Sequence, residues 1–342
     1  MTTLTKNRLN GYLIWGAALL IFLGCALYLQ ANGADPANPR ANFWRVVRDG
    51  VPGYTAMPEQ GHSILIQNGG ENWREIRDIL IIGISPWVLG LAPWVLGVAL
   101  AAMGLFYLLV GGEKLRESRS GVMITRFTLG ERLMHWYTAL LFIVMAVTGL
   151  SILLGRSALI PFFGHGAVAS YLSVSKVLHN WCGPLFLAGI FLEFVIWVRH
   201  NIPREIDLQW FRSMGGMFGS GPPPHSGKIN GGEKVWFWLI FFFGSAVGIT
   251  GVLLDFPIWW EQTRFTMQVS EVIHATVAVL FVTASFGHIY MGTLGSEGAF
   301  EGMWRGKVDE VWAKQHADLW YAEKMAEENK IQPEPANPGN TL

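Results

Sequence analysis

The chain of 342 residues is 51% hydrophobic and 15% charged, with a mean hydropathy of +0.33; soluble domains carry about a quarter charged residues, so the composition excludes an ordinary soluble globule and reads as a membrane protein. Basic and acidic residues balance at 25 each, which leaves no electrostatic footprint for nucleic acid. The two cysteines, Cys25 and Cys182, lie inside apolar runs, and no CxxCH occurs; this excludes a disulfide framework, a cysteine-ligated cluster and covalent haem attachment.

Six apolar spans follow in chain order. The first, 12–30, comes after Lys6 and Arg8. It reads either as a signal peptide cut near Ala34 or as a retained anchor, and its length favours the anchor. Residues 35–78 are polar and proline-bearing and form an external segment. The second span lies within 79–110 and carries a heptad echo, SPWVLGL then APWVLGV, in which Pro86 and Pro93 predict a bend or an interfacial start. A basic connector with Lys114, Arg116, Arg119, Arg126 and Arg132 leads to the third span, 133–154. The fourth runs over 177–198 and ends in RHNIPRE. A polar loop with the flexible GSGPPPHSGKINGG precedes the fifth, 235–254, and the sixth covers 269–294. A polar tail follows, first aromatic and mixed in charge (MWRGKVDEVWAKQHADLWY), then disordered by composition.

Sixteen tryptophans sit mostly at the ends of these runs, as interfacial belts do. Basic clusters flag cytoplasmic loops. Lys6 and Arg8, the connector 112–132, the loop 199–234 and the tail carry them, so 31–78, 155–176 and 255–268 face the other side and both termini are cytoplasmic.

Four histidines stand out within the spans. His274 and His288 are fourteen residues apart (274 to 288) on one run, which is nearly four helical turns, so both rings lie on almost one face, roughly 21 Å apart along an ideal helix. A bilayer core is about 30 Å thick, and ionisable groups inside it are costly and are functional suspects. His135 opens the third span on the cytoplasmic side and His179 opens the fourth on the external side. The topology therefore pairs His135 with His288 and His179 with His274, one pair per leaflet. A low-spin haem iron takes two such imidazoles, and with both axial positions filled it transfers electrons. The ordinary alternative for each residue alone is a core histidine. His62, His165, His225 and His316 fall in polar loops and read as surface residues. His200, after Arg199, reads as an interface anchor or as a contact to a cofactor. Glu193 is the one carboxylate deep in the fourth span, either a proton relay or a snorkelling partner of Arg199.

The spans also repeat. The third and fifth align at an offset of 102 (131 to 233): Glu131-Arg132 with Glu233-Lys234, Trp136 with Trp238, Thr148-Gly149 with Thr250-Gly251. There His135 falls on Phe237. The fourth and sixth align at an offset of 95 (179 to 274), where Glu193 falls on His288. Two related hairpins predict an all-α membrane protein with a four-helix bundle and two additional N-terminal transmembrane helices. Gly149, Gly183, Gly189, Gly248, Gly251 and Gly287 offer helix clearance. Haem propionates would seek Arg126, Arg132 or Arg199 on one side and Lys176 on the other.

Taken together, ERLMHW, KVLHNWCG, RHNIPREIDLQW, KINGGEKVWFW, the His274/His288 pair and GMWRGKVDEVWAKQHADLWY resemble the gamma subunit, a cytochrome b, of respiratory membrane-bound formate dehydrogenase. The likeness runs in order over about 120–325, and the stretch before it resembles the longer N-terminal form of that subunit. It implies residues 1–34 as an anchor, 35–78 as a periplasmic segment, 79–119 as a second helix with a cytoplasmic connector, 120–298 as a four-helix di-haem core and 299–342 as a cytoplasmic tail. It implies two b haems, the periplasmic one on His179 and His274, the cytoplasmic one on His135 and His288. It implies an iron–sulfur beta subunit and a molybdenum or tungsten alpha subunit on the periplasmic side, lipid around the chain, and placement in a bacterial inner membrane. Electrons would leave to menaquinone or ubiquinone at the cytoplasmic end. The chain itself would not oxidise formate. The family's quinone contacts match Asn230 and Gly232; the next position is Glu233, where the family pattern has a neutral Gln.

Two other readings remain open from the sequence. One is the related cytochrome b of a hydrogenase or thiosulfate reductase, against which the RHNIP and GKV…WAKQH segments speak. The other is a proton transporter with relaying histidines, which would show broken helices and more intramembrane carboxylates.

Overall fold

The computed structural model describes residues 84–217, 223–256 and 264–331. The expected span 12–30 and the segment 35–78 lie outside the described residues. Long apolar runs in a low-dielectric medium must satisfy their own backbone, and helices do so. Five described helices are long and apolar enough to cross a membrane. We name them with their neighbours in chain order: α1 Ile84–Leu109, α2 Leu129–Ala158, α3 Ile160–Trp197, α4 Glu205–Arg212, α5 Gly231–Asp255, α6 Arg264–Tyr290, α7 Ala299–Arg305, α8 Glu310–His316 and α9 Asp318–Ile331. Two three-residue strands, β1 Met123–Thr125 and β2 Lys307–Asp309, complete the set.

The expected second to sixth spans correspond to α1, α2, α3, α5 and α6. One difference concerns 155–176, expected as an external loop. Most of it belongs to α3, which starts at Ile160 and is interrupted at Gly164, where φ is 74° and ψ is 166°. Glycine accepts that conformation without a Cβ clash, so a helix with a single break replaces the loop. The loop 199–234 contains α4, and the tail 299–331 is folded into α7, β2, α8 and α9.

The described chain divides into two compact units. The first takes 137–190 and 242–287 together with the chain up to residue 110. Its core joins Ala92 and Leu96 of α1 to Val279 and Val282 of α6, with Phe142, Ala146 and Leu150 of α2 packed against them. Close approach of α5 to α3 depends on small residues: a Cβ on Gly248 would lie 2.5 Å from Leu187, and one on Gly244 2.8 Å from Ile190.

The second unit takes 111–136, 191–241 and 288–342. Here β1 and β2 pair antiparallel, Met123 with Asp309, Ile124 with Val308 and Thr125 with Lys307. Ile124 packs with Val308, Trp312, Ala313, Ala317 and Trp320. These tail residues recur at helical spacing, the stripe that buries α8 and α9. Asp309 accepts the Val311 N–H at 2.9 Å, capping α8, and the Gly121 N–H at 2.9 Å, tying the connector to the tail. The sequence reading took this tail for polar chain running into disorder. Burial of that stripe accounts for the difference up to Ile331.

Candidate functional site

His179 on α3 and His274 on α6 face each other in the first unit, ring centroids 6.0 Å apart at an interplanar angle of 77°. Each ring has the same support. Thr148 Oγ1 donates to the Val144 carbonyl at 2.7 Å and lies 2.9 Å from His179 Nδ1. Thr250 Oγ1 donates to the Ala246 carbonyl at 2.6 Å and lies 3.1 Å from His274 Nδ1. A threonine hydroxyl has one proton; with that proton given to a carbonyl, the oxygen can only accept from Nδ1–H. That fixes the tautomer and leaves the Nε2 lone pair free to ligate. The residue after each threonine is glycine for a steric reason. A Cβ on Gly149 would sit 3.0 Å from His179 Cε1, and one on Gly251 would sit 3.1 Å from His274 Cε1.

His135 on α2 and His288 on α6 form the other pair, in the second unit, with centroids 6.2 Å apart and planes at 52°. Their support differs. His288 stacks on Trp236 at 4.5 Å and 10°, and His135 packs edge-on to Trp136 at 5.2 Å. His135 Nδ1 is buried without a hydrogen-bond partner among the described residues.

Two imidazoles bound on opposite sides of one metal, each by a bond of about 2 Å, place their ring centroids roughly 6 Å apart. Both pairs have that spacing. Among the described residues no cluster of three or more His, Cys, Asp or Glu can hold an ion unaided. A two-histidine pair leaves four positions in a plane, the number a porphyrin supplies. The glycine cradles and the free Nε2 atoms make the residues fit a haem.

Residues 126–306 match the family model for prokaryotic cytochrome b561. The chain belongs to that family. It is thus a multi-pass, all-α membrane cytochrome b that binds haem b. Among its relatives is the cytochrome b556 subunit of the nitrate-inducible formate dehydrogenase of Escherichia coli (strain K12), 30% identical over 218 residues, which are 62% of this chain and 96% of the relative. The cytochrome b556(fdo) subunit of formate dehydrogenase from the same strain is 28% identical over 202 residues, 58% and 92% of the two chains. The formate dehydrogenase cytochrome b556 subunit of Haemophilus influenzae is 24% identical over 218 residues, 61% and 87%. The likeness to the formate dehydrogenase gamma subunit noted in the motifs is therefore shared over most of the relatives' length.

Two of this cytochrome's expected propionate partners are already engaged. The guanidinium of Arg126, an expected propionate partner, donates to both Glu233 carboxylate oxygens at 2.9 Å and to the Lys228 carbonyl at 2.8 Å. Arg132 donates to the carbonyls of Met303 and Trp304 at the end of α7. Arg199 and His200 follow α3 in a 3-10 turn and are exposed, as is Lys176 on α3.

The three expected quinone contacts meet at the start of α5. Asn230 Oδ1 accepts the Glu233 N–H at 2.9 Å, and Glu233 Oε2 accepts the Asn230 N–H at 3.0 Å. This reciprocal pair is a capping box. Gly232 is small because Trp210 of α4 lies on it, where a Cβ would be 2.9 Å from the indole. Trp236, Trp210, Thr148 and Thr250 were not singled out as supports of the site by sequence reasoning. The two threonines were visible as repeat matches, and that repetition was the available signal. Of the expected surface histidines, His165 is exposed but lies in α3 rather than in a loop, and His316 is 12% exposed at its side chain against Trp312. The buried stripe of the tail carries His316 inward.

Proposed function

We propose that this chain is the membrane-anchoring cytochrome b subunit of a formate dehydrogenase complex, carrying electrons from a periplasmic iron–sulfur subunit to a membrane quinone at the cytoplasmic side. Two histidine pairs, each about 6 Å between centroids, carry this reading, supported by relatives named as formate dehydrogenase cytochrome b556 subunits. His179 and His274 belong to the periplasmic centre and His135 and His288 to the cytoplasmic one. Each pair would hold a haem, which would supply a one-electron carrier.

The protein's own residues do the rest. Thr148 and Thr250 hold one pair of imidazoles in the ligating tautomer. Trp236 holds His288 by stacking. At the cytoplasmic end, Asn230 uses its Oδ1 in the cap, and its amide NH2 is the donor for a quinone carbonyl. Arg126 keeps Glu233 in place beside it. Arg132, Arg199 and the His200 imidazole on this side, and Lys176 on the other, are the further candidates for the propionates. The catalytic subunit with molybdenum or tungsten completes the complex on the periplasmic face of a bacterial inner membrane, and both termini of this chain face the cytoplasm.

The test is formate-driven quinol formation by the purified complex of the His135→Ala variant. Loss of quinol formation is expected. Quinol formation at the wild-type rate would show that electrons do not leave through the His135/His288 end.

A further inference from the structure

The second unit holds an unusual polar cluster outside the histidine pairs. Three nitrogens there are buried and find no hydrogen-bond partner among the described residues: Arg126 Nε, Trp312 Nε1 and His316 Nε2. Their side chains touch in series. The Arg126 guanidinium lies 4.6 Å over the Trp312 ring, and Trp312 lies 5.1 Å from the His316 ring. Arg126 and Trp312 are 6% and 3% exposed. Buried donors left unsatisfied by the protein are costly, and ordered water with two to four polar partners is the usual remedy. An indole N–H and a guanidinium N–H can only donate, whereas the Nε2 of a neutral imidazole donates or accepts according to its tautomer. The set suits a bridging water better than an anion, because Arg126 already has its carboxylate in Glu233.

The cluster has two ends. On one side His316 Nδ1 lies 3.9 Å from Glu113 Oε2, and Glu113 is held by the Gln315 amide at 3.4 Å. On the other side stands Glu233, bonded to Arg126 and to the Asn230 N–H. The charged groups facing His316 are Glu113 and Arg116 from the connector, Arg126 ahead of α2 and Glu233 on α5. On α9, Asp318 accepts from the Ser226 N–H.

On the reading that a quinone is reduced beside Asn230, we propose that Glu113 and His316 form the proton-input path to that quinone, joined to Glu233 by water held on Arg126, Trp312 and His316. Reduction of a quinone to a quinol takes two electrons from the formate-oxidising partner and two protons from the cytoplasm. A proton enters on the Glu113 carboxyl and passes to His316 Nδ1 of the Nε2–H tautomer as Nε2 gives its own proton to the water, and the ring then turns over to restore the Nε2–H form for the second proton. It continues to the Glu233 carboxylate and then to the quinone oxygen, and Glu113 is refilled from solvent. Burial raises the Glu113 carboxyl above its ordinary range, so the acid holds a proton more readily. Burial also pushes the His316 imidazole down to about 4, which keeps it neutral and able to accept at one nitrogen while donating at the other. These are positioning and relay residues; neither touches a haem ligand.

The experiment uses the whole purified complex with His316→Gln and, as an isosteric second variant, Glu113→Gln. Formate-driven haem reduction and formate-driven reduction of menadione are followed from pH 6 to pH 8.5, with and without added imidazole. Haem content and the rate of haem reduction should match wild type. Menadione reduction should fall roughly tenfold at the alkaline end, less at pH 6, and recover with imidazole, since a positioned proton donor contributes about 10²–10⁴ in rate. A wild-type rate and pH profile in both variants would overturn the proposal. So would an equal loss of haem reduction and menadione reduction, which would mark a packing role. If wild type itself failed to reduce menadione while its haems were reduced by formate, the quinone reading would fall, and the variants would not be needed to show it.

Discussion

Arg126 and Glu233 bridge the two halves of the internal repeat at 2.9 Å, and the bridge has a mirror image. At the repeat offset of 102, Arg126 corresponds to Lys228 and Glu131 to Glu233; Lys228 and Glu131 pair with each other at 2.9 Å. Each glutamate also closes the same kind of cap, Thr128 with Glu131 and Asn230 with Glu233. The helix starts of α2 and α5 are thus clasped reciprocally.

The clasp is unequal in burial, which yields a stability prediction. The Arg126 side chain is 4% exposed and that of Glu233 is 38%. Glu233→Gln keeps one acceptor oxygen but removes the carboxylate charge beside a buried cation, a cost of about 2 kcal/mol. Heating of the purified complex, followed by haem absorbance, should show bleaching at a temperature several degrees lower. An unchanged midpoint would mean that Arg126 is satisfied without the carboxylate.

Thr148→Val removes the hydroxyl that orients His179 while keeping the side chain's shape. Loss of such an outer hydrogen bond typically costs 10–100-fold in metal-site affinity or activity. In redox titration one b-type component should shift or weaken and the other should stay fixed. Thr250→Val should affect the same component through His274. Two variants that perturbed different components would break the assignment of both threonines to one pair.

Glycine substitutions separate cradle from filler. Gly251→Ala puts a methyl 3.1 Å from His274 Cε1, tighter than ordinary contact, whereas Gly183→Ala meets Met145 at 3.6 Å. The first should lower haem content toward one per chain and the second should leave it at the wild-type level. Equal haem content in both would show that His274 can retreat from a methyl group.

The acid stability of the cap formed by the connector and tail should depend on His316. Its imidazole is pushed from 6.5 to about 4 by burial. The unfolded chain takes up this proton near pH 6.5, and the folded cap refuses it until about pH 4. Stability is therefore full above about pH 6.5 and declines as pH falls through that window, by at most about 3 kcal/mol. Glu113 acts with opposite sign, because its raised carboxyl gives stability below 4.5 that is lost as pH rises through its folded value. Amide exchange over 299–331 should accelerate between pH 6.5 and 4, relative to intrinsic rates, less in His316→Gln than in wild type. Parallel profiles would place the titrating group elsewhere.

Much of the membrane part is legible in the sequence, because a lipid environment makes hydropathy and ligand spacing dominate. The four histidines on α2, α3 and α6 came from that logic, and the structure brings them together in the two expected pairs. Long-range polar partnerships were not legible. Arg126 read as a propionate partner, yet the structure gives it Glu233. Gly232 matches the family's quinone contacts, and the ring that lies on it here is Trp210. The tail failed for a different reason. Its apolar residues Val308, Trp312, Ala313, Ala317 and Trp320 are diluted by charges on the opposite face, so the composition looked polar although one stripe is buried.

The most direct test of the two-pair site is the haem count. Pyridine haemochrome analysis of the purified complex, normalised to this chain, should give two b haems for wild type. His179→Ala and His135→Ala should each lose a different component in redox titration. One haem or none in wild type, or the same component lost from both variants, would contradict the site described for His135, His179, His274 and His288.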